Sequence, residues 1–464
     1  MDIRNQMILA FMASFLFCSV APAQKLQRKA SLGIGMANVN DSLAKVHNLK
    51  TNEGILITRR IPETTADVLG LEEGDVILQI NGQRITDRSQ VFRISANLRQ
   101  DDDLIVHLNR RGRLKKIHGK ALGRPKETPV DDGEAIYGAL QTKLGTLRTI
   151  VHRSKKKDKS PAIFFLQGIY CGSQDFWANP TEPAKRLIDD FVNAGYTVYR
   201  VERPGIGDSG GTKHCRDIDY KEELDIYRAA YEQFRTLPYV DQSQLFLFGH
   251  SMGSVTAPIL AEVYQPKGVV VYAPIYKTWF EYFLDNFREQ PVYYGVETRK
   301  QMDEMARNSI SLMHQWLIEG KSPQEIRDDP KNKKYLVEEM NAFNYNDGDY
   351  FFGRHFSFFS TMNAISNAES WSKVKSKVLA IYGTSDLQAL SNEAAKDIVS
   401  LINEENPGHG TFLEIQEADH VFARTKSKEE GARLSLQGRY RNYIRENYHP
   451  EIAKEVIDWM HAVN

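Results

Sequence analysis

The chain has 464 residues, 41% of them hydrophobic, with 60 Lys and Arg set against 60 Asp and Glu. That length suits two to four domains, and the apolar fraction is ample for real cores, which excludes a disordered or collagen-like chain. A formal net charge of zero gives no electrostatic case for nucleic acid or an anionic membrane, and three cysteines cannot build a disulfide framework or an all-cysteine zinc site.

The amino terminus opens with Arg4 and an apolar run at residues 7–20 (MILAFMASFLFCSV), closed by Ala21-Pro22-Ala23. Fourteen residues are too few to span a bilayer, which needs about 20. The pattern predicts a signal peptide over residues 1–23, cut near Ala23, and an exported protein, periplasmic or secreted, with no transmembrane segment after cleavage. An uncleaved anchor is the alternative. Lipidation at Cys18 is disfavoured by the bulky Phe17. Cleavage would leave Cys171 and Cys215 in a compartment where thiols oxidise.

Residues 31–122 read as short strands and turns, with strands at 54–60 and 75–80, Asn81-Gly82 as a hairpin turn, and a helix at 87–98. A second hairpin is expected from 104–108 and 114–117. Ser31-Leu32-Gly33-Ile34, the run Thr65-Ala66-Asp67-Val68-Leu69-Gly70-Leu71-Glu72-Glu73-Gly74-Asp75-Val76-Ile77, and Ile80-Asn81-Gly82 resemble a bacterial-type PDZ domain, a small β/α fold. The resemblance implies a peptide added as an extra strand beside the family's second strand, its carboxylate meeting backbone N–H groups of Leu32, Gly33 and Ile34. A PDZ-shaped spacer without a peptide ligand is the alternative. Residues 123–133 (GRPKETPVDDG) are polar, carry two prolines and lack periodicity, as a linker does.

From residue 134 to 464 strand-like and helical stretches alternate, which predicts a mainly parallel α/β sheet. Its eight strands are expected at 135–140, 147–152, 162–166, 197–201, 245–248, 268–272, 378–382 and 411–415. The basic run 155–159 is expected to be a solvated hairpin turn. Two stretches match Gly-x-Ser-x-Gly. Gly207-Asp208-Ser209-Gly210-Gly211 spells the nucleophile motif of trypsin-like proteases, but it follows a strand in an α/β pattern, where those enzymes are all-β, so Ser209 is read as part of a glycine-rich loop. Gly249-His250-Ser251-Met252-Gly253 follows an apolar strand and precedes a helical run, the setting of a nucleophile elbow. A serine needs a base oriented by a carboxylate. Asp386 follows the seventh strand and His420 the eighth, giving the chain order Ser251, Asp386, His420. His409 precedes the last strand and lies on the wrong edge. His250 is expected beneath the elbow, and Asp419, adjacent to His420, is expected to aim elsewhere.

The GHSMG, GTSD and ADH stretches stand where the α/β-hydrolase family places its triad, and the region of about 330 residues resembles that family. The resemblance implies a mostly parallel eight-stranded sheet with helices on both faces. It also implies hydrolysis of an ester, thioester or amide through an acyl-enzyme, on a small-molecule acyl substrate, with no metal or organic cofactor. The oxyanion hole would use the N–H groups of Met252 and, from Gln167-Gly168-Ile169-Tyr170, of Ile169 first and Tyr170 second. Gln167 stands where many relatives carry His. Residues 275–372 hold 19 aromatics in 98 positions, nearly twice the chain average, and are expected to form the helical cap that the family inserts over its site. Helices are expected at 297–319 and after the capping box at Ser322. Trp279, Phe280, Phe283, Phe351, Phe352 and Phe356 either line an apolar pocket or pack the cap's own core. In this fold the third and fourth strands are neighbours, so Cys171 and Cys215 leave the same sheet edge and are expected to form a disulfide; two free buried thiols are the alternative. The expected function is an exported serine hydrolase of carboxylic esters. The alternatives are a serine peptidase whose PDZ domain engages peptide ends, and an inert PDZ-anchored binding protein.

Overall fold

The computed structural model describes residues 26–156, 158–295, 298–332, 343, 345 and 348–463. The expected signal peptide lies outside the described residues. The first unit is an antiparallel sheet of β1 (Ile34–Asn38), β2 (Ile55–Arg60), β3 (Val76–Ile80), β5 (Asp103–Arg110) and β6 (Arg113–Lys120) in the order β1-β2-β3-β5-β6, with β4 (Gln83–Arg84) paired to β3. Asn81 and Gly82 both take positive φ, 48° and 79°, which is what a two-residue hairpin turn between β3 and β4 demands. The helix Arg88–Asn97 starts at Asp87, whose carboxylate accepts from the N–H groups of Ser89 and Gln90. The strand beside that helix is β1, an edge strand. It is the first regular strand here because Lys29 and Ala30, just upstream, make only isolated bridges to Arg99 and Gly123.

The second unit is built on eight strands: β7 (Gly133–Thr142), β8 (Gly145–Ser154), β9 (Ser160–Leu166), β10 (Thr197–Val201), β11 (Val240–His250), β12 (Gly268–Tyr272), β15 (Lys377–Gly383) and β16 (Gly410–Ile415). Their order is β16-β15-β12-β11-β9-β10-β8-β7, parallel from β10 to β16 with β7 and β8 antiparallel at one edge. All eight expected strands are present; two match the expected bounds, five are longer by one to four residues, and β11 reaches five residues further upstream than expected. The basic run at 155–159 is not a hairpin turn: β10 lies between β8 and β9, so the run bridges two strands that do not pair. Strands β10 and β12 are buried along their whole length, because helices cover both faces of the sheet. The helices Tyr220–Arg235, Gly253–Tyr264 and Glu393–Glu405 pack on one face, and Pro183–Asn193 and Pro450–Ala462 on the other.

The insertion between β12 and β15 carries the helices Trp279–Tyr293, Arg299–Met313, Pro323–Asp328 and Phe356–Asn363, and a short hairpin of β13 (Tyr350–Phe351) and β14 (Arg354–His355). Capping boxes at Thr278, Thr298 and Ser322 open the first three helices. Trp279, Phe283 and Phe351 are buried with Trp316 and Phe359 in the insertion's own core, and Phe280, Phe352 and Phe356 pack against it. Met252 and Val255 belong to the same cluster and Ile169 packs on it, so this core runs down to the loops at the sheet's carboxyl edge.

The two units are locked together. Arg28 Nη1 lies 2.6 Å from Asp208 Oδ2 and 2.5 Å from Asp175 Oδ2; Lys29 N–H donates to Asp208 Oδ1 at 2.7 Å, and Arg99 donates to the Asp208 carbonyl at 3.1 Å. The connecting segment is pinned too. Glu127 is buried against Arg200 Nη1 (3.0 Å) and His152 Nε2 (3.1 Å), and burial, which would raise its carboxyl, is outweighed by Arg200 and His152, so it is held far below the usual carboxylate range. Glu127 thus makes the stretch at residues 123–133 a fixed strap.

Candidate active site

Strand β11 ends at His250 and the helix Gly253–Tyr264 begins three residues later, which leaves Ser251 on a turn at the carboxyl edge of the sheet. Its φ is 53°, a left-handed conformation that costs a non-glycine residue on the order of 1–3 kcal/mol. The flanking glycines are sterically required. A Cβ at Gly249 would stand 2.7 Å from Gly253 O, and one at Gly253 would stand 2.4 Å from Leu166 O. Ser251 N–H donates to Tyr272 O at 2.9 Å, which ties the turn to β12.

Asp386 is fully buried in the loop after β15, where its Oδ1 accepts from Gln388 N (2.6 Å) and Ala389 N (2.9 Å). Its two oxygens lie 3.0 and 2.9 Å from His420 Nδ1. Burial acts to depress the His420 imidazolium, but the Asp386 carboxylate outweighs it and raises that group above its ordinary value. Nδ1–H is thus committed to Asp386, which leaves Nε2 as the proton-accepting nitrogen. No hydrogen bond joins Ser251 Oγ to His420 Nε2 among the described residues; contacts between nucleophile and base commonly tighten when substrate binds.

The rival groups have other partners. His250 Nε2 lies 2.7 Å from His420 O and must donate, because a carbonyl only accepts; burial first and His420 second push its imidazolium down to about 3, so it stays neutral beneath the elbow. Asp419 turns away, accepting from Val421 N, Ala423 N, Thr425 Oγ1 and Tyr440 Oη at 2.7–3.1 Å. His409 lies at the start of β16 with Nδ1 2.9 Å from Lys375 O. Ser209 is 1% exposed, and its Oγ accepts from Arg148 N at 2.9 Å, a structural bond that ties the loop docking Arg28 to β8.

The loop after β9 lies against the elbow: a Cβ at Gly168 would stand 3.4 Å from Ser251 Cβ. Its carbonyls are held by two buried guanidiniums. Arg203 donates to Gly168 O (2.8 Å) and Tyr170 O (2.6 Å), and Arg354 donates to Ile169 O (3.0 Å). The Gln167 amide, oriented by its neighbours, accepts from Arg203 at 3.2 Å. Farther along, Cys171 is joined to Cys215 in a disulfide, as expected from the adjacency of β9 and β10.

Residues 182–400 match the hydrolase family described as serine aminopeptidase, S33, and residues 23–109 match the PDZ domain. The hydrolase match takes in Ser251 and Asp386 and stops short of His420. It falls on the strand–elbow–helix order just described. The chain has an α/β-hydrolase fold behind a PDZ domain. A probable periplasmic DegP-like serine endoprotease of Marinomonas sp. is 31% identical over 102 residues, 22% of this chain and 22% of that one. Serine protease HTRA1B of Danio rerio is 36% identical over 90 residues, 18% of each chain. The hydrolase thus matches only about a fifth of the length of these curated relatives. Among solved structures it is similar to a monoacylglycerol lipase of Paleococcus ferrophilus (17% identity, TM-score 0.38, 68% of this chain and 99% of that one). The Pyrococcus furiosus esterase Pf2001 is comparable (16% identity, TM-score 0.38, 69% and 95%).

Two clefts open in the hydrolase, one against its elbow and one beside the loop that carries Asp386. One of about 240 Å³ is walled by Gly168, Tyr170, His250 and Phe422, so it opens beside the loop after β9. The other, of about 300 Å³, lies between the cap helix Trp279–Tyr293 and the loop after Asp386, with Tyr282 and Gln388 in its wall. None of the six cap aromatics singled out in the sequence lines either cleft; they pack in or against the cap core. Arg203, Glu223 and Arg354, which hold the loop after β9, escaped the sequence reading, because charged residues without motif spacing read as solvated surface. In the PDZ domain a groove of about 340 Å³ runs between β1 and the helix Arg88–Asn97, with Leu32, Gly33 and Ile34 at one end and Phe92 on its rim.

Proposed function

We propose that the protein is an exported serine hydrolase that cleaves carboxylic esters or related acyl bonds. Ser251 attacks the acyl carbon, His420 Nε2 takes its proton and returns it to the leaving group, and Asp386 holds the imidazole in the required tautomer. Water repeats the sequence on the acyl-enzyme. The N–H groups of Met252 and Ile169 stabilise the tetrahedral oxyanion. The observation that carries this reading is the Asp386–His420 pair at 2.9 Å beside the strained, glycine-flanked turn of Ser251. Ser251→Ala is expected to lower kcat on the order of 10⁶-fold and to abolish labelling by a fluorophosphonate, while Ser209→Ala retains both. An active Ser251→Ala enzyme would overturn the assignment.

A second reading, a serine peptidase, is favoured by the serine aminopeptidase description of the matching family. Assaying p-nitrophenyl esters beside aminoacyl-nitroanilides separates the two: turnover of the anilides at a comparable kcat/KM would assign a peptidase. The PDZ groove is read as a site for a peptide or protein carboxyl terminus. The carbonyls of Leu32 and Gly33 are taken by Ala66 N and Ile61 N, and in a trans peptide this aims the N–H groups of Gly33 and Ile34 the opposite way. Export is supported by the disulfide, which persists in oxidising compartments. No helix among the described residues is long and apolar enough to cross a membrane.

A further inference from the structure

Three side chains buried beneath the loop after β9 form one charge cluster. Glu223, on the helix Tyr220–Arg235, receives Arg203 Nη2 on Oε1 and Arg354 Nη2 on Oε2, each at 2.7 Å, and all three residues are at most 1% exposed. Both guanidiniums also donate to the loop: Arg203 to Gly168 O and Tyr170 O, Arg354 to Ile169 O. Arg354 also stacks on Phe358, 3.6 Å from the ring centroid. Two buried cations on one carboxylate leave a positive charge uncompensated. Apolar residues of similar volume commonly serve stability as well or better in such a place. The cluster therefore calls for an explanation other than stability.

The carbonyl of one residue and the N–H of the next lie in one plane and point in opposite directions. Holding Gly168 O toward Arg203 turns Ile169 N–H away from it, and holding Ile169 O toward Arg354 turns Tyr170 N–H away likewise. Those are the two amides able to complete the oxyanion hole with Met252. A rotated peptide would present a carbonyl dipole to the developing negative charge and oppose the reaction. Resting on the Ser251 reading above, we propose that Arg203 and Arg354 are positioning residues for the oxyanion hole. Because Arg354 is supplied by the cap hairpin, the hole takes its working geometry only with the cap seated. The cap also grips the segment after β10, where Tyr350 Oη donates to Asp217 at 2.7 Å and Arg216 stacks on Tyr350, and the neighbouring Cys215 is bonded to Cys171 of the loop.

Arg354→Met is the decisive variant, because it leaves Arg203 and Glu223 as a balanced pair. With an ester substrate its kcat is expected to fall about 10²–10³-fold, the scale of one lost oxyanion donor, while KM stays within a few-fold. Affinity for a trifluoromethyl ketone, which binds Ser251 as an oxyanionic adduct, is expected to fall by the same factor as kcat/KM. Arg354→Lys keeps a cation that reaches only one of the two acceptors and is expected to recover part of the loss. It carries the test alone if Arg354→Met does not fold. Wild-type kcat and ketone affinity in either variant would overturn the proposal, as would a loss confined to KM. The Ser251→Ala control separates the two readings. A dead Ser251→Ala enzyme beside a fully active Arg354→Met enzyme refutes only the positioning role, whereas an active Ser251→Ala enzyme refutes the triad itself.

Discussion

Reducing the Cys171–Cys215 bond tests whether the chain bridging β9 and β10 is held by the crosslink or by its polar contacts. The bond closes 44 residues, so the chain-entropy estimate assigns it about 4 kcal/mol, all of it from constraint on the unfolded chain. The folded side is expected to change little. Tyr170 O stays on Arg203, Ile169 O on Arg354 and Gln174 O on Arg200 whether or not the sulfurs are joined. The signature is therefore a large loss of stability beside a small, severalfold loss of activity. All five tryptophans lie after residue 134, so their fluorescence follows unfolding of the hydrolase unit separately from the PDZ sheet. With a urea slope of about 3 kcal/mol/M, reduction is expected to lower the midpoint by about 1.3 M. Coincident midpoints for the oxidised and reduced mature protein would refute the reasoning. So would alkylation of two cysteines in unreduced, denatured protein.

Four further outcomes are expected. Because Asp386 raises the His420 imidazolium and the base must be neutral, kcat/KM is expected to fall as pH drops through a value above the ordinary 6.5. Buried Glu202, raised to about 7 by burial, titrates nearby, so the limb must persist in Glu202→Gln; a limb that vanishes there would reassign it. Asp386→Asn is expected to cost about 10⁴-fold in kcat, and a loss below tenfold would remove Asp386 from the triad. Gly253→Ala puts a methyl 2.4 Å from Leu166 O and is expected to destabilise the protein and displace the elbow, read as lost fluorophosphonate labelling; an unchanged enzyme would contradict the packing. Finally, a peptide that binds the PDZ groove is expected to weaken when its carboxyl terminus is amidated, and equal affinity by calorimetry would leave that domain a scaffold.

The sheet was legible because its central strands are continuous apolar runs bounded by turn residues, a pattern forced by burial on both faces. The elbow was legible because steric crowding at Gly249 and Gly253 admits little else, and Asp386 and His420 because each follows a recognisable strand. Strand order was less accessible. The basic run at 155–159 looks the same in a hairpin as in a link passing over β10, since solvated charge carries no record of which strand lies between. The cap aromatics were equally opaque, because lining a pocket and packing a small core ask for the same side chains. Arg203, Glu223 and Arg354 lie 20 and 131 residues apart along the chain and meet only when the cap closes over the sheet, so no local pattern could announce them.

Asp208 shows where the chain can and cannot be divided. Its carboxylate is 1% exposed and is shared between Arg148 of its own sheet and Arg28 from the other unit, while its carbonyl takes Arg99. Nicking the strap at 123–133 would leave those bonds in place, so the fragments would co-purify. Expressing the hydrolase without residues 26–122 would instead open Asp175 and Asp208 to water and bare an acidic notch at the mouth of β10. A chain end caught in the PDZ groove would likewise find the groove at a fixed bearing to Ser251. It could approach the catalytic cleft by its own length, never by a swing of the domain that holds it.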